Sequence, residues 1–406
     1  MKKYILFILV LSIFSPIIAC NDGSEPYTPP KEKENPDNPV PVNSGERAKE
    51  VFDLINAKYS IGQTGFYKES HPSQPGDPQY AYLWPVVAIN NAAATLEKLG
   101  YDIPYEKMIG TFQSYLSTGR AGNNISAYSS STNGSTGQGT RFYDDNSIVG
   151  LSLLEAYSIT NDESYKELAK DIIPFLKSGI DPILGGALWW NEDEKNMMDN
   201  PNSNKPTCSN GYATLFLLRY FHVCDDSEKQ EILNLARDLY NWLSDNLFDP
   251  TTKCYWNDKN VKGEINYTIW TYNTGVMIQN GIELYKITSD RKYLDQAIES
   301  AIGSYDYFAK IRNGILSFPD HDPWFNTKLL RAYIDILPYH STAKTYIETY
   351  SKLINYAYDN ARTSDKLFYE DWTGKQPNRY YLLLMQAAVV ESYGAIALYE
   401  EQSEDN

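Results

Sequence analysis

Apolar positions along the chain fall into two alternating kinds of segment. In one kind, such as Ile232, Leu235, Ala236, Leu239, Tyr240, Leu243 and Leu247, they recur every three or four residues and leave a polar face between them. Tyr293, Leu294, Ala297, Ile298, Ala301, Ile302 and Tyr305 repeat the pattern, which is that of an α-helix with one side in water. In the other kind apolar residues run nearly all round the helix, which only burial tolerates. The two kinds meet at a recurring turn. Tyr157 to Asp162, Phe221 to Asp226 and Tyr285 to Asp290 each set an aromatic, a turn and an acidic cap in register, at steps of 64 residues. Self-similarity of this kind predicts helix hairpins in series.

Weaker turns near 100–104 and 338–341, and a last apolar segment able to pair with the first amphipathic one, bring the count to six hairpins. The apolar members are read at 80–99, 142–159, 207–223, 268–287, 325–338 and 378–400. The amphipathic members are read at 45–59, 103–118, 162–178, 228–247, 290–310 and 341–361, with Pro174 expected to kink or shorten one of them. Buried helices inside and one-faced helices outside give an all-α (α/α)6 toroid, a six-hairpin barrel in one domain. Links from an apolar helix to the next amphipathic one are short. The reverse links, at 61–79, 119–141, 179–206, 248–267, 311–324 and 362–377, are long and all fall at one end of the ring. Long loops in a compact domain are where function concentrates, so the site is expected at that mouth.

The N-terminus is of another kind. Lys2 and Lys3 precede an apolar run that ends at Ile17, Ile18, Ala19 and Cys20. This reads as a bacterial lipoprotein signal over residues 1–20, with Cys20 the lipidated residue. Residues 21–44 are rich in Pro, Glu, Lys and Asn and read as a disordered tether, followed by the domain at 45–401 and a tail at 402–406. The expected location is the bacterial cell envelope, with membrane contact through the lipid anchor alone and a monomeric domain.

Charge narrows the partners. With 36 Lys+Arg against 52 Asp+Glu, the formal net charge of −16 disfavours nucleic acid and anionic membrane surfaces. Tyr outnumbers Phe and Trp together, 34 against 14 and 8. Flat surfaces that also hydrogen-bond suit sugars. Three cysteines remain after Cys20. Cys208 and Cys224 are expected on one helix about 24 Å apart, too far to bond. A Cys208–Cys254 bridge stays open beside three free thiols. The four histidines show no metal spacing, and GxSxG, Walker A and dinucleotide motifs are missing, so neither metal nor cofactor is called for.

The candidate chemistry lies at the start of the second apolar helix, where Asp144 and Asp145 stand side by side. Two carboxyl groups are the equipment for breaking a glycosidic bond, and adjacent residues at a helix start put them near the ~5–5.5 Å of a retaining mechanism. The bland alternative is a cap residue and a neighbour favoured by the helix dipole. One repeat on from Asp145 stand Ser209 and then Asn273, single caps, so the doubled acid is extra. The long loops supply aromatic and amide side chains: Trp189, Trp190 and Asn191 with Lys195 and Asn196, then Trp270, Tyr272 and Asn273, then Trp324, then Asp371 and Trp372. Such residues either line a carbohydrate cleft or brace the loops by packing.

Phe142-Tyr143-Asp144-Asp145-Asn146, Leu184-Gly185-Gly186 through Trp189-Trp190-Asn191 with Lys195-Asn196, Trp270 to Gly275, and Asp371-Trp372 together resemble glycoside hydrolase family 76, the α-1,6-mannanases. The resemblance spans most of residues 45–400. It implies an (α/α)6 fold, retention of configuration, Asp144 as nucleophile and Asp145 as acid/base. It also implies α-1,6-linked mannan as substrate, cut internally, with Tyr143, Asn146 and the loop residues just named around the sugar. Thr274 departs from the Gln common in the family. Two further readings stand beside it: a surface lipoprotein that binds carbohydrate without cleaving it, and another (α/α)6 glycosidase acting on acidic sugars. The second would need a locally basic cleft, for which Arg120, Arg141, Lys195 and Lys205 are few.

Overall fold

A computed structural model describes residues 43–120, 123–133 and 136–404. The leader at 1–20, Cys20 and nearly all of the 21–44 segment lie outside the described residues. Asn43 caps the first helix, α1 (Ser44–Tyr59), in a capping box with Glu46. The rest are α2 (Leu83–Lys98), α3 (Tyr105–Gly110), α4 (Tyr143–Thr160), α5 (Glu163–Lys170), α6 (Ile173–Ser178), α7 (Thr207–Phe221), α8 (Asp226–Asn246), α9 (Thr271–Thr288), α10 (Arg291–Phe308), α11 (Pro323–Ile336), α12 (Ala343–Asn360) and α13 (Leu383–Glu404).

Helices α2, α4, α7, α9, α11 and α13 touch in that order, and α13 closes on α2. Each carries an outer partner: α3 on α2, α5 on α4, α8 on α7, α10 on α9, α12 on α11 and α1 on α13. This is the (α/α)6 toroid. Residues 402–404, read as tail, form the last turn of α13. Small residues let the inner ring close up. A β-carbon at Gly150 would stand 2.6 Å from the Phe216 ring, and one at Gly211 would stand 2.6 Å from Val276.

The repeated turn has a repeated cause. Asn161 and Ser289 end α4 and α9 in the left-handed conformation, at φ 56° and 58°. One residue later Asp162 accepts the Ser164 N–H at 2.9 Å, and Asp290 accepts the Lys292 N–H at 3.1 Å, capping the next helix. The outer element read at 162–178 is broken, with Pro174 at the start of α6, where its missing N–H costs nothing.

One expectation needs correcting. The helix read at 103–118 ends early: α3 passes into a 3-10 turn, Thr111–Tyr115, and then a strand, Leu116–Arg120, that pairs with Asn123–Tyr128. The long loops of the helical toroid also carry small antiparallel sheets, including Asn204–Pro206 with Trp256–Asn260 and Ile265–Ile269. Their strands are two to six residues long, too short for alternation to announce them.

Cys208, Cys224 and Cys254 are free and buried, so the Cys208–Cys254 bridge is not formed. Cys224 lies beyond the end of α7 and not within it.

Arg141, fully buried, ties two of the long loops together just ahead of α4. Its guanidinium pairs with Glu192 through Nε and Nη2, the latter at 2.5 Å from Oε2, and Nη1 donates to Ile125 O at 2.7 Å. Removing one partner of such a buried pair is strongly destabilising because the other charge stays behind. Arg141→Met is expected to cost about 3–5 kcal/mol, read as a lower denaturation midpoint. A midpoint equal to that of the parent would contradict this role.

Candidate active site

The doublet is aimed by the residues just before it. Phe142 is extended (φ −90°, ψ 144°) and bridges Asn191 across the strand-like start of the loop, and Tyr143 N donates to Trp190 O at 3.0 Å. The Tyr143 ring then turns into the protein and stacks on Phe175 at 4.6 Å and 22°. Successive helical residues point about 100° apart. With Tyr143 facing the outer layer, Asp144 and Asp145 face the axis of the ring, where they are only 4% and 6% exposed.

Both line a cavity of about 430 Å³ at the mouth of the toroid, of the size that holds small ligands. Aromatic rings of Tyr82, Trp84, Phe142, Trp190, Tyr272 and Phe325 wall it, and Tyr272 stacks on Phe325 at 3.9 Å. Asp258 and Asp322 complete a set of four carboxyl groups, and among the described residues the lining holds no lysine or arginine. Among the described residues no group of three or more His, Cys, Asp or Glu side chains is placed to hold a metal ion.

The two aspartates are neighbours with different surroundings. Burial pushes Asp144 up to about 6, against hydrogen bonds that favour its charged form. Cys208 Sγ donates to Asp144 Oδ2 at 3.2 Å, Asp145 N–H donates to Oδ1 at 3.1 Å, and the Trp190 side chain adds another. Among the described residues Asp145 has no such support. Burial first, and then the charge of Asp144, push it well above the usual aspartate range. The pair titrates together, with the hydrogen bonds to Asp144 favouring the charge there and the proton on Asp145. Burial and the adjacent Asp144 charge also keep the Cys208 thiol protonated, so it is a donor.

Asp144, Cys208 and Tyr272 occupy one position in successive repeats, 64 residues apart, and all three line the cavity. Counting from Asp145 finds only Ser209 and Asn273. Counting from Asp144 would have found Cys208.

The sequence-derived residues divide into two groups. Asp144, Asp145, Trp190 and Tyr272 meet in the cavity. Trp270 lines an adjoining one. Asn273 stands behind it, donating to the cavity residue Asn257 at 3.3 Å.

The remaining positions are not part of the lining. Tyr143 is in the core, as described. Asn146 is fully buried and clamps Tyr128, accepting its N–H at 2.7 Å and donating to its carbonyl at 2.9 Å. Trp189 donates to Asp181 at 2.6 Å beneath the Lys205 ammonium. Asn191 accepts the N–H groups of Asp193 and Glu194, each at 3.0 Å. Lys195 donates to Ser178 O at 3.0 Å, and Asn196 is an exposed left-handed turn residue. Trp324 is fully buried against Trp84 and Lys328. Asp371 gathers the N–H groups of Thr373, Lys375 and Gln376, and Trp372 packs edge-on to Tyr350. These side chains hold the loops that form the mouth.

Tyr82, Trp84, Asp258 and Asp322 were missed. Asp258 sits mid-strand in an unforeseen sheet. Asp322 is a left-handed N-cap (φ 60°) whose carboxyl burial pushes up to about 7. Only its place just before an inner helix could have signalled it.

A helical toroid with paired buried acids in an aromatic-walled hollow is the frame of a carbohydrate-active enzyme. The family model for glycosyl hydrolase family 76 matches residues 46–403, and the chain belongs to that family; it is a glycoside hydrolase. A search of curated proteins gives no match. Among solved structures, a GH76 α-mannanase of Bacteroides thetaiotaomicron is similar over 90% of this chain and 98% of its own, at 22% identity and TM-score 0.76. An α-1,6-mannanase of Salegentibacter sp. HEL1_6 is similar over 88% of this chain and 99% of its own, at 24% identity and TM-score 0.71. That structure is an inactive variant, two consecutive aspartates replaced by alanine, in complex with α-1,6-mannotetrose. Dfg5 of Chaetomium thermophilum, in complex with glucosamine, is similar over 88% of this chain and 90% of its own, at 15% identity and TM-score 0.67.

Proposed function

We propose that this glycoside hydrolase cuts α-1,6-mannosidic bonds within mannan backbones with retention of configuration. The observation that carries the proposal is the asymmetry of the doublet: two adjacent carboxyl groups in one cavity, of which Asp144 accepts from Cys208 Sγ and the Asp145 N–H while burial and the neighbouring charge push Asp145 upward. The ionised Asp144 attacks the anomeric carbon as Asp145 passes its proton to the departing glycosidic oxygen. Asp145 then takes a proton from water, which displaces Asp144 from the sugar. The first turn of α4 favours negative charge, which suits Asp144, while burial keeps Asp145 an acid. The mannan activity of the Salegentibacter relative supports the choice of substrate.

Four carboxyl groups, with no lysine or arginine among the described residues of the lining, disfavour acidic sugars. A protein that only bound sugar would have no use for the division between Asp144 and Asp145. Cys20, on this proposal, tethers the enzyme to the cell envelope. The test is incubation with unbranched α-1,6-mannan and, separately, a polyuronate. New reducing ends on mannooligosaccharides alone support the proposal; none on mannan, or cleavage of the uronate, overturns it.

Cys208 gives the nucleophile a neutral donor. Cys208→Ala is expected to move the acid limb of kcat/KM up by about one pH unit, as loss of a hydrogen bond to a charged group would. Cys208→Ser, which keeps a donor, should restore it. A profile unmoved by alanine would leave Cys208 a packing residue.

A further inference from the structure

Lys205 is the middle residue of the strand Asn204–Pro206 and is fully buried. Asn204 and Pro206 line the catalytic cavity, so strand alternation sends Lys205 the other way, behind the lining. A buried ammonium is costly unless its charge and its donors are met. Here one loop surrounds it with oxygen. Lys205 Nζ lies 2.9 Å from Asp181 Oδ1, 3.3 Å from Asp181 O, 2.8 Å from Ile183 O, 2.5 Å from Gly186 O and 2.9 Å from Ala187 O. These are more acceptors than three N–H bonds can serve singly, so the loop is wrapped round a charge. The wrapping strains it. Leu184, Gly185, Gly186 and Ala187 all have positive φ, at 57°, 85°, 107° and 70°, a conformation that a residue with a β-carbon keeps only where its surroundings hold it.

The cage is connected to the catalytic aspartates through two tryptophans. Asp181 Oδ2 accepts the Trp189 Nε1 proton at 2.6 Å, and Lys205 Nζ stands 4.7 Å from the centre of the Trp189 ring. With Trp189 fixed on that side, Trp190 turns to the other, into the cavity, where its side chain donates to Asp144. The backbone of Trp190 is held at both ends: its N–H donates to the carbonyl of Asn204, the neighbour of Lys205, and its carbonyl accepts the N–H of Tyr143, the neighbour of Asp144, each at 3.0 Å. We infer that Lys205 is a positioning residue for the reaction: its ammonium gathers the 181–187 loop and thereby aims the Trp190 indole at the Asp144 carboxyl group. This rests on the proposed function and extends it to a side chain outside the cavity.

The test follows kcat and the acid limb of kcat/KM on unbranched α-1,6-mannan in Lys205→Met, Trp190→Phe and the double variant. Each single change takes the indole donor from Asp144 and should raise the acid limb by about one pH unit, as loss of a hydrogen bond to a charged group would. Lys205→Met should also lower kcat by about 10- to 100-fold, the cost of a small misplacement. Both changes act on one hydrogen bond, so the double variant should shift the limb no further than Trp190→Phe alone. Should Lys205→Met fail to fold, Asp181→Asn loosens the cage at a side chain 30% exposed and should move the limb the same way by a smaller step. A lower denaturation midpoint with parental kcat and acid limb overturns this inference alone, as do shifts that add in the double variant or an Asp181→Asn limb that stays in place. A parent that cleaves no mannan overturns the proposed function and this inference with it.

Discussion

Asp144→Asn and Asp145→Asn are each expected to lower kcat/KM on α-1,6-mannan by at least about 10³-fold, the scale of a lost proton-transfer or nucleophilic group. The two losses differ in kind. An aryl mannoside with an acidic leaving group needs no proton for departure, so Asp145→Asn should retain the first chemical step on it and release a burst of phenol. Asp144→Asn has no group to form the covalent intermediate and should give no burst. Both variants should stay folded, because asparagine is the same size and carries no charge to bury. Near-parental cleavage of mannan by either variant would refute the assignment. A burst from the Asp144 variant and none from the Asp145 variant would reverse it.

The dependence on pH follows from the same pair. Asp144 must be ionised, so kcat/KM should rise as pH increases through about 6. Asp145 must be protonated, so activity should fall once pH exceeds its own, higher value. The expected profile is a bell whose acid limb lies near 6, some two pH units above a free aspartate. Stability carries the matching sign. Both carboxyls titrate higher in the folded chain than the usual 3.8. Their stabilising contribution is therefore complete below that value and lost as pH rises through the folded ones. For Asp144 the loss at neutral pH is on the order of 3 kcal/mol. The asparagine variants should accordingly match the parent near pH 4 and exceed its thermal midpoint near pH 7. An acid limb near 4, with no gap in midpoint at neutral pH, would contradict the buried pair.

Much of this architecture was legible because it repeats. The 64-residue step and the contrast between one-faced and all-round apolar helices specify hairpins, and the same cap chemistry at Asn161-Asp162 and Ser289-Asp290 enforces them. The long loops were legible as the place of the site and not in their detail. Asn146, Asn191 and Asp371 look like sugar ligands by residue type, yet their side-chain oxygens accept backbone N–H groups of the loops they hold. Trp189, Trp324 and Trp372 are buried for the same structural purpose. Asp258 and Asp322 reach the cavity from a strand and a left-handed cap, both set by contacts distant in sequence, and no periodic pattern marks them. Cys208 was within reach, one repeat on from Asp144.

The most direct test traps the nucleophile. A 2-deoxy-2-fluoro mannosyl donor with a good leaving group slows turnover of a covalent intermediate, and fragmentation mass spectrometry of the digested enzyme then locates the sugar. The expected result is one fluorosugar on Asp144. The same mass on Asp145, or on an acid outside the doublet, would contradict the division of labour between the two aspartates.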